Sequence, residues 1–338
     1  MENQRWINRP AGSNWGDFGP DDQLGRLNLI GPDQRRAAVL EVREGISFSL
    51  SLPLDRPLQS ALNPRRRPPH LQPAMHNGAP YFNHPLSNIV PGATDVISDD
   101  SVVLSPQYST QWDALGHVGS LFDANGDGVA EAVGYNGFSV SDGPVRTLDD
   151  YHGAQALSVV SAAQHGVQGR GVMVDLFRRH GAGRHAVGYD DLMRALDADK
   201  VEVRRGDMLC LHTGFADLVL RLQPGDDHQV LRTACAVLDG TDARLLQWIA
   251  DSGIAALAAD NYAVEERRHA LPDGKPGPLL PLHEHCLFKL GIHLGEMWHL
   301  TPLADWLRQH QRHAFLLTAP PLYLPGAVGS PANPVAMV

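Results

Sequence analysis

Cysteine is scarce in this 338-residue chain: Cys210, Cys235 and Cys286 are far apart, odd in number and without C-x-x-C spacing. A disulfide framework is excluded, and the expectation is three buried thiols in a reducing compartment. Long apolar runs are also missing. No window approaches the roughly 20 residues that a bilayer-spanning helix needs, and the opening MENQRWINRPAG has no charged lead followed by an apolar core. Neither a membrane nor a secretory signal is expected, which leaves the cytoplasm as the default location. A basic excess is lacking as well: 28 Lys+Arg against 38 Asp+Glu give a net charge of −10. That balance excludes nucleic acid and anionic membrane as main partners and favours a small-molecule substrate. Against few aromatics (7%) stand 17 histidines, an excess that invites metal or acid/base chemistry.

The length suffices for a sizeable core. Helical periodicity appears in PDQRRAAVLEVREG, closed by Gly45, followed by the strand-like ISFSLSLPL. Residues 61–95 are rich in Pro, Asn and His and read as an irregular loop near the site, with Arg65, Arg66 and Arg67 on a solvated stretch. Further on, YDDLMRALDADKVEVRRGDMLCLHTGF reads as helix, turn and strand, with Asp190 as cap, and DARLLQWIADSG followed by IAALAADN repeats that order. Alternating helices and strands without an internal repeat or linker predict one mixed α/β domain over 1–338, with residues 1–60 as an N-terminal extension packing on the core.

In QYSTQWDALGH, Gln107, Gln111, Asp113 and His117 share one parity and, in an extended chain, one face. A second cluster, PLHEHCLFKLGIHLGEMWHL, offers His283, His285, His293, Glu296 and His299. Carboxylate and imidazole donors suit Zn²⁺, Mn²⁺ or Fe²⁺; the competing reading is an amphipathic helix with its histidines on the wet side. Asp123 opens DANGDGVAE, a partial calcium-loop match, but its twelfth position is Gly134 rather than Glu, so it reads as a tight Asp/Asn/Gly turn. Asp260 and Asn261, at the end of a buried strand, and Tyr135 and Asn136, in GYNGF, are candidate substrate contacts. Asp175 is expected to be a structural carboxylate capping the turn after it.

These motifs together resemble the cyclase family that includes bacterial kynurenine formamidase and isatin hydrolase, in its long bacterial and fungal branch. The likeness runs from RPAGSNWGDFGPDDQLGRLN through STQWDALGHVG, RGVMVDL, VRRGDMLCLHTGF and AADNYAVE to PPLYLPGAVGSPANPVA. It implies a swivelling β/β/α domain, a homodimer or homotetramer, and a signature H-x-G-T-H-x-D-x-P-x-H whose first two histidines and aspartate bind metal and whose last histidine is the acid/base. Here those positions are Gln107, Ser109, Thr110, Gln111, Asp113, Leu115 and His117. Two ligand histidines are glutamines and the proline is Leu115. The family's later His and Glu ligands correspond to His283, one residue off the short-chain spacing, and Glu296.

The resemblance therefore implies, in place of the zinc pair, a single divalent cation, Mn²⁺ or Zn²⁺, held by Asp113, His283 and Glu296 with help from the amide oxygen of Gln111 or Gln107, an oxygen-rich set that suits Mn²⁺ or Mg²⁺ better than Zn²⁺. His117 and Asp113 would be catalytic, and Gln107, Gln111, Trp112, Tyr135, Asn136, Asp260 and Asn261 would bind substrate. The expected reaction is hydrolysis of an amide, cyclic amide or lactone, the carbonyl polarised by the cation and the proton moved by His117. Two rivals stay open: a cyclase or dehydratase acting without net hydrolysis, and a metal-free protein whose glutamines hold a small molecule.

Overall fold

A computed structural model describes residues 5–271, 274 and 276–338. Its centre is a nine-stranded curled sheet. From one edge to the other it runs Ser47–Ser49, Val335–Met337, Ala314–Thr318, Gln168–Asp175, Met208–His212, Ala256–Ala259, His293–Glu296, Gln111–Asp113 and Gly329–Pro331. The four strands from Gln168 to Glu296 are mutually parallel. Antiparallel strands flank them on both sides. The mixed α/β architecture expected from the alternating pattern is the one observed.

Parallel strands need both faces covered, so they read as continuous apolar runs, and MLCLH and ALAA are entirely buried. Alternation then divides the core. Leu209, Leu211, Leu257 and Leu294 join the helices Tyr189–Asp199 and Ala243–Ser252 on one face. On the other, Met208, Cys210, Ala256 and Trp112 meet the helix Thr301–Gln309 and the early residues Leu27 and Ile30. At roughly 25 cal/mol per Å² of apolar area, such side chains contribute about 1.5–3 kcal/mol each when fully buried.

Some local expectations change. The first helix is Pro32–Val39 and stops short of Gly45; Glu41 beyond it is engaged by Arg170 at 2.9 Å. Asp190 does not cap its helix. It pairs with Arg244 at 2.8 Å, while Asp242 accepts the Tyr189 N–H at 2.7 Å. Asp175 accepts the Arg178 N–H at 3.1 Å, closing the turn as expected, and also the His212 ring at 2.9 Å. Asp123 accepts the N–H groups of Gly126 and Gly128, so DANGDG is a turn. All three thiols are buried and free.

Within residues 61–95 the structure is more regular than expected. His70–Pro73 pairs with Asp100–Val103, His84–Pro85 with Val96–Ile97, and Met75–His76 with Ala79–Pro80, forming a β-arm. Its apolar residues, Leu71, Met75, Phe82 and Val103 among them, are exposed. No helix of the described residues is long and apolar enough to cross a membrane.

Candidate active site

The short strand Gln111–Asp113 lies between His293–Glu296 and Gly329–Pro331. Its register sets Gln111 opposite Glu296 and Asp113 opposite Leu294. Paired residues share a side of the sheet, so Gln111, Asp113 and Glu296 project together. The strand is only three residues long. Gln107 lies in the turn before it, and His117 in the turn after it, where the His117 N–H reaches the Ala114 carbonyl at 2.9 Å. The imidazole is still turned back to the strand: His117 Nε2 is 3.7 Å from Asp113 Oδ1, with the His117 side chain 21% exposed and that of Asp113 fully buried.

His283 arrives from another direction. Pro281, compatible with the first turn of a helix, opens Pro281–His283, and a π-helical turn, Glu284–Leu290, continues it. The wet-helix reading of this segment fails, because His283, His285 and His293 are all buried. Burial, helped by Lys289 and Arg26 near His285 and by His165 near His293, holds the last two neutral, pushing His285 down to about 4 and His293 to about 3. His283 has partners instead. Its ligand atom, with one each from Asp113 and Glu296, lies in a group whose members are all within 4.8 Å of one another. Nε2 is 3.3 Å from Glu296 Oε1 and 3.9 Å from Asp113 Oδ2.

Glu265 fixes how that imidazole is presented. Fully buried, it accepts the N–H groups of Leu282 and His283 at 2.8 and 2.9 Å, and the Nδ1 of His283 at 2.7 Å. The carboxylate thus satisfies orphan donors at a helix start, where negative charge is favoured. It also holds a proton on Nδ1 and turns Nε2, the atom that would exchange its own proton for a bound cation, toward Glu296 and Asp113, as in the outer-shell arrangement of metal-bound histidines. Gly240 makes room for it: a Cβ there would lie 2.2 Å from Glu265 Oε2. Three non-glycine residues in the left-handed region, Ala263, Val264 and Met297 (φ 70, 57 and 59°), adjoin Glu265 and Glu296. Such conformations cost on the order of 1–3 kcal/mol each and concentrate at functional sites.

The electrostatics are those of a cation site. Three carboxylates, Asp113, Glu265 and Glu296, surround one imidazole out of reach of solvent. Burial, with Glu296 adding to it, raises the pKa of Asp113. Burial also presses Glu296 upward, but the hydrogen bond from His283 holds it below its ordinary value. For His283, burial is outweighed by the bonds to Glu265 and Glu296, and its pKa rises to about 10. Asp113 Oδ2 and Gln111 Oε1 are both buried without a hydrogen-bond donor. The Gln111 amide nitrogen is 3.2 Å from Asp113 Oδ1 and 3.4 Å from Glu296 Oε2. Rotating the amide would aim its oxygen at two carboxylates, an arrangement that only a cation between them would stabilise. The residues present therefore fit a divalent ion bound through oxygen and one imidazole.

Several expected contacts lie elsewhere. Trp112 points to the opposite face of the sheet, packs edge-on against Trp298 at 5.0 Å and donates to the Ala319 carbonyl at 2.7 Å. Tyr135 is wholly buried core. Asn136 ties down the N-terminal segment, receiving the Gly16 N–H at 2.9 Å and donating to the Gly19, Pro20 and Asp22 carbonyls. Asp260 braces a turn through the Thr213 and Gly214 N–H groups at 2.8 and 2.7 Å. Asn261 donates to the Ala236 carbonyl at 2.9 Å. All five are engaged in packing or hydrogen bonds within the fold. Gln107 lines a narrow crevice with Arg66, Tyr108 and Tyr262, and its carbonyl accepts from Arg66 at 2.7 Å. Arg66 and Glu265 are the residues that sequence reasoning left out of the site. The AADNYAVE motif contained Glu265, but its partner lies 18 residues on.

With this geometry in hand, the comparisons with known proteins define the class. The profile of a family described as "Putative cyclase" matches residues 48–266, and the chain belongs to that family. Among solved structures it is similar to a novel cyclase, with 31% identity, TM-score 0.77 and coverage of 96% of this chain and 99% of that one. The fold is also shared with isatin hydrolase A from Ralstonia solanacearum at 15% identity, TM-score 0.54 and coverage of 89% and 93%. Isatin hydrolase A from Labrenzia aggregata, bound to benzyl benzoate, matches at 13% identity, TM-score 0.57 and coverage of 89% and 95%. No curated protein matches the sequence.

Proposed function

We propose that this cyclase-family protein is a hydrolase that opens an amide, cyclic amide or lactone bond of a small molecule, using one divalent cation and His117. One observation carries the reading: the convergence of Asp113, His283 and Glu296 within 4.8 Å, with His283 aligned by Glu265. The isatin hydrolase folds among its structural relatives support hydrolysis as the reaction class. An oxygen-rich set with one imidazole favours Mn²⁺ over Zn²⁺, since Gln111 stands where a second imidazole would make a zinc site.

Asp113, His283 and Glu296 would hold the cation, with Gln111 turned to offer its oxygen. Bound there, it would supply Lewis acidity to the scissile carbonyl and lower the pKa of water. The chain's own residues do the rest. His117, beside Asp113 and open to solvent on one side, takes the proton from the attacking water and returns it to the leaving group. Asp113 orients that imidazole. Glu265 keeps His283 in one tautomer, and the buried floor limits competing water.

The test is a screen of formamides, cyclic amides and lactones with and without added Mn²⁺ or Zn²⁺. A mass gain of one water, lost on chelation and in His117→Ala, is expected. Turnover without mass gain would indicate cyclisation or dehydration instead, and turnover that survives chelation would remove the cation from the mechanism. We also propose a homodimer or homotetramer, supported by the exposed apolar residues of the β-arm, Leu71, Met75 and Val103 among them.

A further inference from the structure

Asp113, His283 and Glu296 are out of reach of solvent, but polar groups in the turns at both ends of the Gln111–Asp113 strand are not. His117 follows the strand and turns back to Asp113. Gln107 precedes it and is half-buried. Its backbone is pinned: the Tyr108 N–H closes the turn on the Ser105 carbonyl at 3.0 Å, and the Gln107 carbonyl accepts from Arg66 at 2.7 Å.

Gly329 shows where the Gln107 side chain goes. It is the cross-strand partner of Asp113, and paired residues project to the same side of a sheet. A Cβ built on Gly329 would lie 2.3 Å from Gln107 Nε2, 2.6 Å from Cδ and 2.8 Å from Cγ. The carboxamide therefore fills the space of a side chain at 329, on the face where Gln111, Asp113 and Glu296 project. Directly opposed Cβ positions in such a ladder are about 4.5–5.5 Å apart, so the amide lies beside Asp113, on the flank away from Glu296. The backbone at Gly329 does not itself call for glycine, since its φ is outside the left-handed region.

The amide has no task within the fold. Among the described residues three other glutamines are half-buried, and each uses its carboxamide: Gln23 accepts the Leu157 N–H at 2.8 Å, Gln34 accepts the Gly31 N–H at 3.1 Å, and Gln168 donates to Thr318 Oγ1 at 2.8 Å. The Gln107 carboxamide makes no hydrogen bond to any described residue. A donor held in place without an acceptor, beside the carboxylate that faces the acid/base histidine, is placed to serve a reactant.

We propose that Gln107 is a catalytic residue whose NH₂ donates to the oxygen of the scissile carbonyl as that oxygen becomes negative. The proposal rests on the hydrolase reading of the site. The oxygen of water adds to the carbonyl carbon, its proton passes to His117, and the C=O π pair moves onto the oxygen held by Gln107. The pair returns as the C–N or C–O bond breaks, and His117 gives its proton to the departing nitrogen or oxygen. A preorganised donor stabilises charge where it develops, without reorganisation at that moment. At a position where the family signature has a ligand histidine, the chain thus carries a hydrogen-bond donor.

Gly329→Ala tests this with Gln107 still present. The three atoms nearest its Cβ all belong to the Gln107 side chain, so the substitution displaces the amide at little cost to the fold. Mn²⁺-loaded parent, Gln107→Ala and Gly329→Ala proteins are titrated calorimetrically with phenylphosphonate, whose tetrahedral oxyanion stands in for that of carbonyl attack. The parent should bind it, and both variants should bind it about 10- to 100-fold more weakly, the usual worth of a charge-assisted hydrogen bond. Mn²⁺ affinity and thermal midpoint of both variants should match those of the parent. On whichever amide or lactone the parent hydrolyses, kcat should fall about 10²- to 10³-fold with KM little changed, the usual effect of removing an oxyanion donor. A Mn²⁺ affinity at least tenfold lower in Gln107→Ala would make the amide a ligand and overturn the proposal. So would phenylphosphonate that fails to bind the parent, or that binds both variants as well as the parent. Phenylphosphonate binding that depends on Gln107, without hydrolysis of any amide or lactone, leaves the donor standing and defeats the hydrolase reading. Hydrolysis undiminished in both variants does the reverse.

Discussion

Replacing Glu265 by glutamine tests whether the carboxylate that touches no substrate nevertheless sets the cation affinity. The carboxylate accepts three hydrogen bonds between 2.7 and 2.9 Å while wholly buried. Glutamine is nearly isosteric, but its NH₂ must face one of the three donors, and its remaining oxygen is neutral. Leaving a buried N–H without an acceptor costs roughly 1–3 kcal/mol, so the thermal midpoint should fall. The larger consequence concerns His283. Without the Glu265 charge its proton is no longer held on Nδ1, and its basicity toward an ion declines. Outer-shell substitutions of this kind typically weaken metal binding about 10- to 100-fold, equivalent to about 1.4–2.7 kcal/mol. Calorimetric titration of Mn²⁺ into parent and Glu265→Gln protein reads the effect directly. An affinity within twofold of the parent, with the fold intact, would show that the Glu265–His283 pair is only a helix brace.

His117→Ala should lower turnover by roughly 10²–10⁴ while cation content and thermal midpoint stay near those of the parent; a loss of bound cation would make it a ligand instead. Stability should fall on mild acidification. His285 and His293 are neutral when folded, at about 4 and about 3, but take up protons when unfolded below their ordinary 6.5. Their contribution is whole above pH 6.5 and is lost as the pH drops, at ~1.4 kcal/mol per unit for each, or ~4 kcal/mol for the pair at pH 5. His283, raised to about 10, opposes this weakly, since its contribution is complete only below pH 6.5 and decays above it. Urea unfolding at pH 7.5 and 5 checks the sign, and a slope undiminished by His293→Leu would refute the assignment. Light scattering should give a dimer or tetramer that dissociates when Leu71, Met75 and Val103 of the arm are made serine; a monomeric parent would exclude the assembly.

Much of the architecture was legible. Buried runs such as MLCLH and ALAA, with helices between them, could hardly have packed other than as a two-sided parallel core. Part of the site was legible for the same reason, because a period of two forces Gln111 and Asp113 to one side wherever that segment is extended. The same alternation sends Trp112 to the other face, so a substrate role for it conflicted with the pattern that selected its neighbours. What could not be read is long-range: Glu265 matters because a helix start 18 residues later lends it two N–H groups and a ring nitrogen. Arg66 differs from Arg65 and Arg67 only in what the folded chain brings to it, the Gln107 carbonyl and the Tyr262 ring. Asn136 and Asp260 have side chains suited to substrate, yet each serves neighbouring backbone groups, a role that composition does not distinguish from binding.

The central claim is that Asp113, His283 and Glu296 hold one divalent cation although glutamine occupies both early ligand positions. Mn²⁺ titrated calorimetrically into chelator-treated protein tests it most directly, with Asp113→Ala protein of verified fold alongside. The account predicts saturable binding of one ion per chain in the parent and its disappearance in Asp113→Ala; no binding to the parent, or binding that survives the substitution, would contradict it.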